Sequence, residues 1–359
     1  MKRYFVGLLI IFFALTGQTC SLLGSTASGV YRSIDNGKTW QSIDELKIKG
    51  ERTDNPSFKV FSLVVDPKNP DIIYAGTLTR GIYKTENGGR TWGRINKGIT
   101  LSGRQPIFYD IVVDPKDDNN VYCGGKTMDY GKIYKSTNGG GEWREVFSES
   151  QKDLVVTSLA ISFSNPKIII AGSQAGSVYA TTDGGETWQH AGWLGDQVVS
   201  VGVSNDDSDV IYAATKSKGA FRTDNFGKNW VGITKKIGPD KETDSNNNGL
   251  AIGRLAVAPS NGNVLYLGTR AGIYRSSNRG RSWILLPTLL PPDFAPLTSD
   301  IKVTFKNPNI IYFSVPNIVY KAENSGNKWI SFQLSINAQV NKLAIDPENP
   351  NVIYAGVGK

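Results

Sequence analysis

An eight-residue pattern ending in tryptophan occurs seven times in this chain of 359 residues and constrains its fold more than any other feature. The copies occupy residues 33–40 (SIDNGKTW), 85–92 (TENGGRTW), 136–143 (STNGGGEW), 181–188 (TTDGGETW), 223–230 (TDNFGKNW), 276–283 (SSNRGRSW) and 322–329 (AENSGNKW). Their third residues are Asp35, Asn87, Asn138, Asp183, Asn225, Asn278 and Asn324, spaced 52, 51, 45, 42, 53 and 46 residues apart. A period of about 40 to 50 residues with strand-like content is that of a propeller blade. Seven of the eight tryptophans are committed to this pattern.

A second pattern alternates with the first: an apolar strand, a turn rich in Asp, Asn and Pro, then a strand containing Tyr. Residues 63–76 (LVVDPKNPDIIYAG) are the clearest copy, and others begin near Ile111, Leu159, Val201, Leu255, Val303 and Leu343. Each unit then holds four strands, as in residues 60–65, 72–77, 81–85 and 91–95. The chain enters the pattern at Gly29-Val30-Tyr31-Arg32, the third strand of a unit, and leaves it at residues 341–357, a first and second strand. Those two halves are expected to pair and complete a seventh blade, which removes the open sheet edge. The expectation is an all-β, seven-bladed β-propeller over residues 29–359. The 39 glycines suit its many tight turns, and no sustained helical periodicity follows residue 20.

The octapeptide resembles the Asp-box (BNR) repeat of sialidases, sortilin-type receptors, photosystem II assembly factors and xyloglucan-cleaving glycosidases, and the resemblance spans residues 29–357. Each octapeptide is then the hairpin between a blade's third and outer strands. Its Asp or Asn accepts bonds from turn amides, its Gly takes a positive φ, and its Ser or Thr ties the turn ends. Its Trp packs between neighbouring blades, a burial of about 2–3 kcal/mol each. The key residue is Asp in two copies and Asn in five. Asn keeps the accepting oxygen and loses the titratable proton, so the position fixes a turn and does no acid–base work. Asp66-Pro67, Asp114-Pro115 and Asp346-Pro347 read the same way, as Asx turns before proline.

The resemblance places a ligand at the mouth of the central channel, on the face opposite the octapeptides. The loops reaching that face differ from blade to blade, as binding loops on a constant scaffold do. Residues expected there are Lys59, Tyr109, Asp110, Asp196, Arg254 and Asp300, with Arg80, Arg270 and Lys218 from shorter loops. Trp193, the one tryptophan outside an octapeptide, is expected beside them as an aromatic platform for a sugar or peptide. The competing reading is a solvated polar rim. Sialidases carry a Phe-Arg-Ile-Pro segment, which this chain lacks, and have six blades. Xyloglucan-cleaving enzymes share the Asp-Pro-Lys-Asn-Pro turn and the Tyr-Ala-Gly strand, but generally pair two propellers about a cleft. The primary expectation is therefore a binding or scaffold propeller for a protein or glycan. A polysaccharide hydrolase is the alternative, for which Asp110, Asp196 and Asp300 are the candidate carboxylates.

His190 is the only histidine, which excludes His-based metal centres and Ser-His-Asp triads as a general plan. No cofactor is expected. Asp240, Glu242, Asp244, Asn246 and Asn248 alternate oxygen side chains before Gly249, resembling the start of a calcium loop. Leu255 stands where the late bidentate Glu would be, and a polar surface insertion is the plainer reading.

At the N-terminus, Met1-Lys2-Arg3 precede an apolar run from Tyr4 to Leu15 and then Cys20. This is the layout of a leader over residues 1–19, with Cys20 resembling a lipoprotein acceptor despite Thr19 before it. The expectation is an exported protein of the bacterial cell envelope, with residues 20–28 as tether and simple secretion as the alternative. Losing Lys2 and Arg3 lowers the net charge only from +8 to +6. No Lys/Arg block stands out, so nucleic acid is not an expected partner and a monomer is the expected state. Cys123, in Tyr122-Cys123-Gly124, occupies the slot of Ala75 and Ala355 and reads as a small buried residue.

Overall fold

The computed structural model describes residues 28–43, 59–100, 106–234, 237, 250–287, 297–334 and 339–358. Residues 1–27, with Cys20, and 238–249, with the calcium-loop candidates Asp240 to Asn248, lie outside them. Strand and octapeptide repeats resolve into seven four-stranded antiparallel sheets, each in simple sequential order except one. Blades 1 to 6 cover residues 60–94, 107–152, 156–193, 198–232, 252–285 and 300–333. Blade 7 joins the ends: Val340–Ile345 and Ile353–Val357 continue into Gly29–Ser33 and Gln41–Ser42. The rungs run from Gly29 opposite Val357 to Ser33 opposite Ile353. The expected closure is therefore present.

Each octapeptide forms the hairpin before the outer strand. Its fourth residue adopts positive φ in every copy (Asn36, Gly88, Gly139, Gly184, Phe226, Arg279 and Ser325), and so does the glycine that follows. That conformation aims the fourth residue's N–H at a carbonyl in the first turn of the same blade, from Asn36 to Asn351 (3.0 Å) through Ser325 to Asn309 (3.1 Å). In six copies the first residue's hydroxyl accepts from the glycine N–H, as between Gly37 and Ser33 at 2.7 Å. The Asp or Asn side-chain oxygen accepts from the seventh residue's N–H at 2.9 Å in Asp35 and Asn87 alike. Asp and Asn are interchangeable in that role. The seventh copy has Ala322 where the hydroxyl belongs, and there the turn tightens to a 3₁₀ segment, Asn324–Gly326. Asp66, Asp114 and Asp346 each accept two backbone N–H bonds in Asx turns.

Blades are joined through both sequence patterns. The indole N–H of Trp92, Trp143 and Trp283 donates to a carbonyl just past the preceding blade's outer strand, and that of Trp230 to Ala191 O within it. The hydroxyls of Tyr74, Tyr122, Tyr212, Tyr266 and Tyr312 donate forward to turn carbonyls of the following blade. Glycine after the Tyr-X pair permits close approach: a Cβ on Gly124 would lie 2.8 Å from Val156 Cγ1, and one on Gly356 2.5 Å from Val60 Cγ1. Cys123 is fully buried, and burial pushes its thiol well above the usual range.

Two measurements test these roles. A Cβ on Gly76 would sit 2.9 Å from Phe108 Cβ, whereas Gly93 on an outer strand has nothing within 4 Å. Gly76→Ala should cost about 1–3 kcal/mol in chemical denaturation, and Gly93→Ala under about 0.5 kcal/mol. The second concerns acid. Backbone and hydroxyl bonds from Thr39 hold Asp35 down at about 2, and those of Thr187 hold Asp183 lower still. Their support is complete above an unfolded value of about 3.9 and is lost as pH falls through the folded values. The Asp35→Asn/Asp183→Asn variant should accordingly lose less melting temperature than the parent between pH 4 and 2.

Candidate ligand-binding site

The inner strands share a distortion that the sequence patterns do not reveal. In six of the seven a register shift falls near the start of the strand, between Val60 and Ser62, Phe108 and Asp110, Val156 and Ser158, Val198 and Ser200, Ile252 and Arg254, and Val340 and Lys342. A bulge leaves its extra residue unpaired and re-aims the side chain. The extra residues are Phe61, Tyr109, Thr157, Val199, Gly253 and Asn341. Ser299, just before the strand Asp300–Val303, stands with them in blade 6. All seven line one basin of about 350 Å³ at the channel mouth, on the face opposite the octapeptides. Its wall is lopsided. Phe61 and Tyr109 meet edge to face at 5.8 Å across blades 1 and 2, while blade 5 contributes Gly253.

Directly beneath lies a second ring, one residue per blade: Ser62, Asp110, Ser158, Ser200, Arg254, Asp300 and Lys342. Four of the seven are charged. Lys342 reaches past blade 1 to Asp110 (Nζ–Oδ1 3.4 Å). Arg254 Nε lies 3.3 Å from Asp300 Oδ1 without the alignment of a hydrogen bond, while its Nη1 donates to Val199 O at 2.8 Å. Lys302, one pleat deeper, is 3.7 Å from Asp300 Oδ2. Both carboxylates also accept backbone N–H bonds from the next blade, Asp110 from Leu159 (3.1 Å) and Asp300 from Leu343 (2.9 Å). Ser158 accepts from Val201 N and Ser200 donates to Leu255 O, which extends the same belt.

Burial alone would raise the Asp300 carboxyl, but Lys302, Lys342, Arg254 and the Leu343 N–H together hold it below the usual range. Burial and the neighbouring Arg254 push Lys342 down to about 8, against the opposing pull of Asp110 and Asp300. A depressed lysine costs folding stability while it is charged, fully below its folded value and not at all above the ordinary one. With Lys302 beneath it, the layer brings three cations to two carboxylates.

Below it the channel continues as a cavity of about 260 Å³ lined by Val64, Val112, Ala160, Gly202 and Ala256. The second residue of the first turn is Pro in four blades and Asn205 in blade 4, but Phe163 in blade 3 and Phe305 in blade 6. These two rings, from nearly opposite sides of the channel, meet with centroids 5.5 Å apart.

Of the residues expected at the mouth, Tyr109 and Arg254 line the basin, and Asp110 and Asp300 lie in the charged layer below it. Arg80, Trp193, Asp196 and Arg270 are not among its lining residues. Arg80 and Arg270 sit on turns between second and third strands, where their backbones bond Thr77 and Ala251. Trp193 is on the outer strand of blade 3, 67% exposed, its indole N–H fixed to Ala175 O at 2.9 Å. Asp196 accepts from the Ser217 N–H (2.6 Å), the Ser217 hydroxyl (2.9 Å) and the Lys218 N–H (3.2 Å). Burial opposes its ionisation, and the Ser217, Gln197 and Lys218 bonds outweigh it and lower its carboxyl. That carboxylate locks a rim turn. Phe61, Lys302 and Lys342 were not anticipated. Among the described residues no group of three or more His, Cys, Asp or Glu is placed to hold a metal ion.

Comparison with known proteins places the architecture. No family model matches the chain. Xyloglucanase Xgh74A of Acetivibrio thermocellus is 28% identical over 197 residues, covering 45% of this chain and 22% of that protein. A xyloglucanase of Hypocrea jecorina is 25% identical over 287 residues, covering 76% of this chain and 30% of its own. The chain thus spans less than a third of the length of these curated relatives. Among solved structures, the GH74 xyloglucanase of Xanthomonas campestris superposes with a TM-score of 0.67 at 15% identity, over 91% of this chain and 52% of that one. YCF48 of Cyanidioschyzon merolae gives 0.61 at 12% identity, over 83% and 95%. YCF48 bound to a D1 peptide gives 0.58 at 14%, over 85% and 94%. At such identities the structural matches establish the fold, a seven-bladed β-propeller.

Asp300 holds two blade junctions, to Arg254 behind and Leu343 ahead. Asp300→Ala should cost about 3–5 kcal/mol in chemical denaturation, since it strands buried cations. Asp300→Asn, which still accepts from Leu343, should cost less.

Proposed function

We propose that this propeller is a binding module that takes a protein segment or a glycan in the basin above the charged layer. One observation carries the reading: every carboxylate candidate for catalysis is already engaged. Asp110 and Asp300 bond neighbouring backbone and face cations, and Asp196 locks a rim turn. A general acid needs a carboxyl held protonated near neutral pH, and Asp300 and Asp196 are shifted the opposite way. The basin offers instead a rigid aromatic wall, Phe61 and Tyr109, facing the polar side chains of Thr157, Gln197, Ser299, Gln339 and Asn341. Such a surface suits a sugar ring or an extended peptide. A propeller of the same architecture is known with a D1 peptide bound.

The alternative is a glycoside hydrolase, favoured by the sequence similarity to xyloglucanases. In that reading the chain supplies one part of a larger cleft. From the leader pattern we further propose export and tethering through Cys20 in the cell envelope, with the Asp- and Asn-fixed turns serving as a rigid Asp-box scaffold. Incorporation of an alkynyl fatty acid, lost in Cys20→Ser, would support the tether.

Retention and cleavage on glycan and peptide arrays separate the readings. The binding module should retain ligand without products, and Tyr109→Ala should weaken retention by about tenfold or more. Released oligosaccharide, abolished by Asp110→Asn, would establish the hydrolase instead.

A further inference from the structure

The cavity below the charged layer is a compartment distinct from the basin, and its chemistry is amphiphilic. Its wall is apolar, formed by Val64, Val112, Ala160 and Ala256 with Gly202. At its far end the Phe163 and Phe305 rings meet across the channel, 5.5 Å apart at their centroids. Its roof is the charged layer, where Arg254 and Lys342 stand with Asp300 and Asp110, and Lys302 reaches up to Asp300 from the blade 6 position of the wall. All three cations act on Asp300, so they share one neighbourhood. The pairing is incomplete. Arg254 Nε is buried without a hydrogen-bond acceptor, and the Lys302 and Lys342 contacts, at 3.7 and 3.4 Å, are long for charge-assisted bonds.

We propose that this channel is a binding site for a small amphiphilic monocarboxylate, with its carboxylate among Arg254, Lys302 and Lys342 and its alkyl chain in the chamber below. A third carboxylate would match three cations with three anions and give the Arg254 Nε an acceptor. The chamber would remove the alkyl chain from water. Five residues separate Ser158 in the layer from Phe163 at the far end, about 16 Å along an extended chain. That depth suits a medium-chain acyl group. The site does not depend on what the basin itself binds.

Calorimetric titration of the full chain with octanoate, acetate and octanol tests the assignment. Octanoate should bind saturably, at least about tenfold tighter than either comparison ligand, with a negative heat-capacity change from apolar burial. Lys342→Met and Lys302→Gln should each weaken it by about tenfold. Lys302 is the more exposed of the two, so its variant keeps the test sound if Lys342→Met fails to fold. Equal affinity for octanoate and octanol would overturn the proposal, because the cations would then be idle. Equal affinity for octanoate and acetate would overturn it as well, because the chamber would be. So would the absence of saturable heat, or octanoate binding left unchanged in Lys302→Gln.

Discussion

A belt of side-chain contacts around the channel mouth bridges every junction between blades, and the ring depends on it. Phe61 against Tyr109 joins blades 1 and 2, and Asp110 to Leu159 joins 2 and 3. Ser158 to Val201 and Ser200 to Leu255 join 3 to 4 and 4 to 5. Arg254 to Asp300, Asp300 to Leu343, and Asn341 to Val60 complete the circuit. A four-stranded sheet buries only its faces, so each blade is stable only against its neighbours. Pairing of Gly29–Ser33 with Ile353–Val357 makes the ring continuous, and the belt sets how the blades meet at its centre.

The bulges explain how one short stretch of strand serves both fastening and recognition. A regular strand presents alternate residues to opposite faces of the sheet. The extra residue at Phe61, Tyr109, Thr157, Val199, Gly253 and Asn341 breaks that alternation once in six of the seven blades. One residue is thereby placed in the basin while the next turns to the neighbouring blade. Thr157 and Asn341 do both, lining the basin while donating to Val198 O and Val60 O. Variation at the bulge therefore reshapes the mouth, while the residue after it keeps the junction.

The fold was legible because its determinants are local and repeated. An octapeptide turn is set by a hydroxyl, an accepting oxygen and a glycine within five residues, so seven copies read out seven blades. Even the Ala322 exception is local in origin and effect. The site was less legible, since its groups come together only when the ring closes. Lys342 in Asn341-Lys342-Leu343 and Lys302 in Ile301-Lys302-Val303 look like surface lysines on edge strands. Aligning the seven inner strands by their tyrosine-strand partners would have exposed the column Ser62, Asp110, Ser158, Ser200, Arg254, Asp300, Lys342, in which four charges occupy the middle of apolar strands. Trp193 misled in the other direction. Its position outside the octapeptides is real, but its strand is the outermost of blade 3, far along the sheet from the channel.

Charge in the layer is constrained by that same closure. Buried ions repay their desolvation only when geometry and hydrogen bonding are both good. Asp300 meets the condition, with cations on two sides and a backbone N–H on a third, and its ionisation is favoured despite burial. Lys342 does not, and its proton is held more weakly than that of a lysine in water. The ring therefore stores its imbalance on the cationic side, in groups that open toward both basin and chamber. Four serine or charged positions fasten the blades with their bonds satisfied. With Lys302 counted, the cations exceed the two carboxylates by one. An anionic group that offsets this excess gains affinity without any rearrangement of the blades, because the cations already stand where the belt has fixed them.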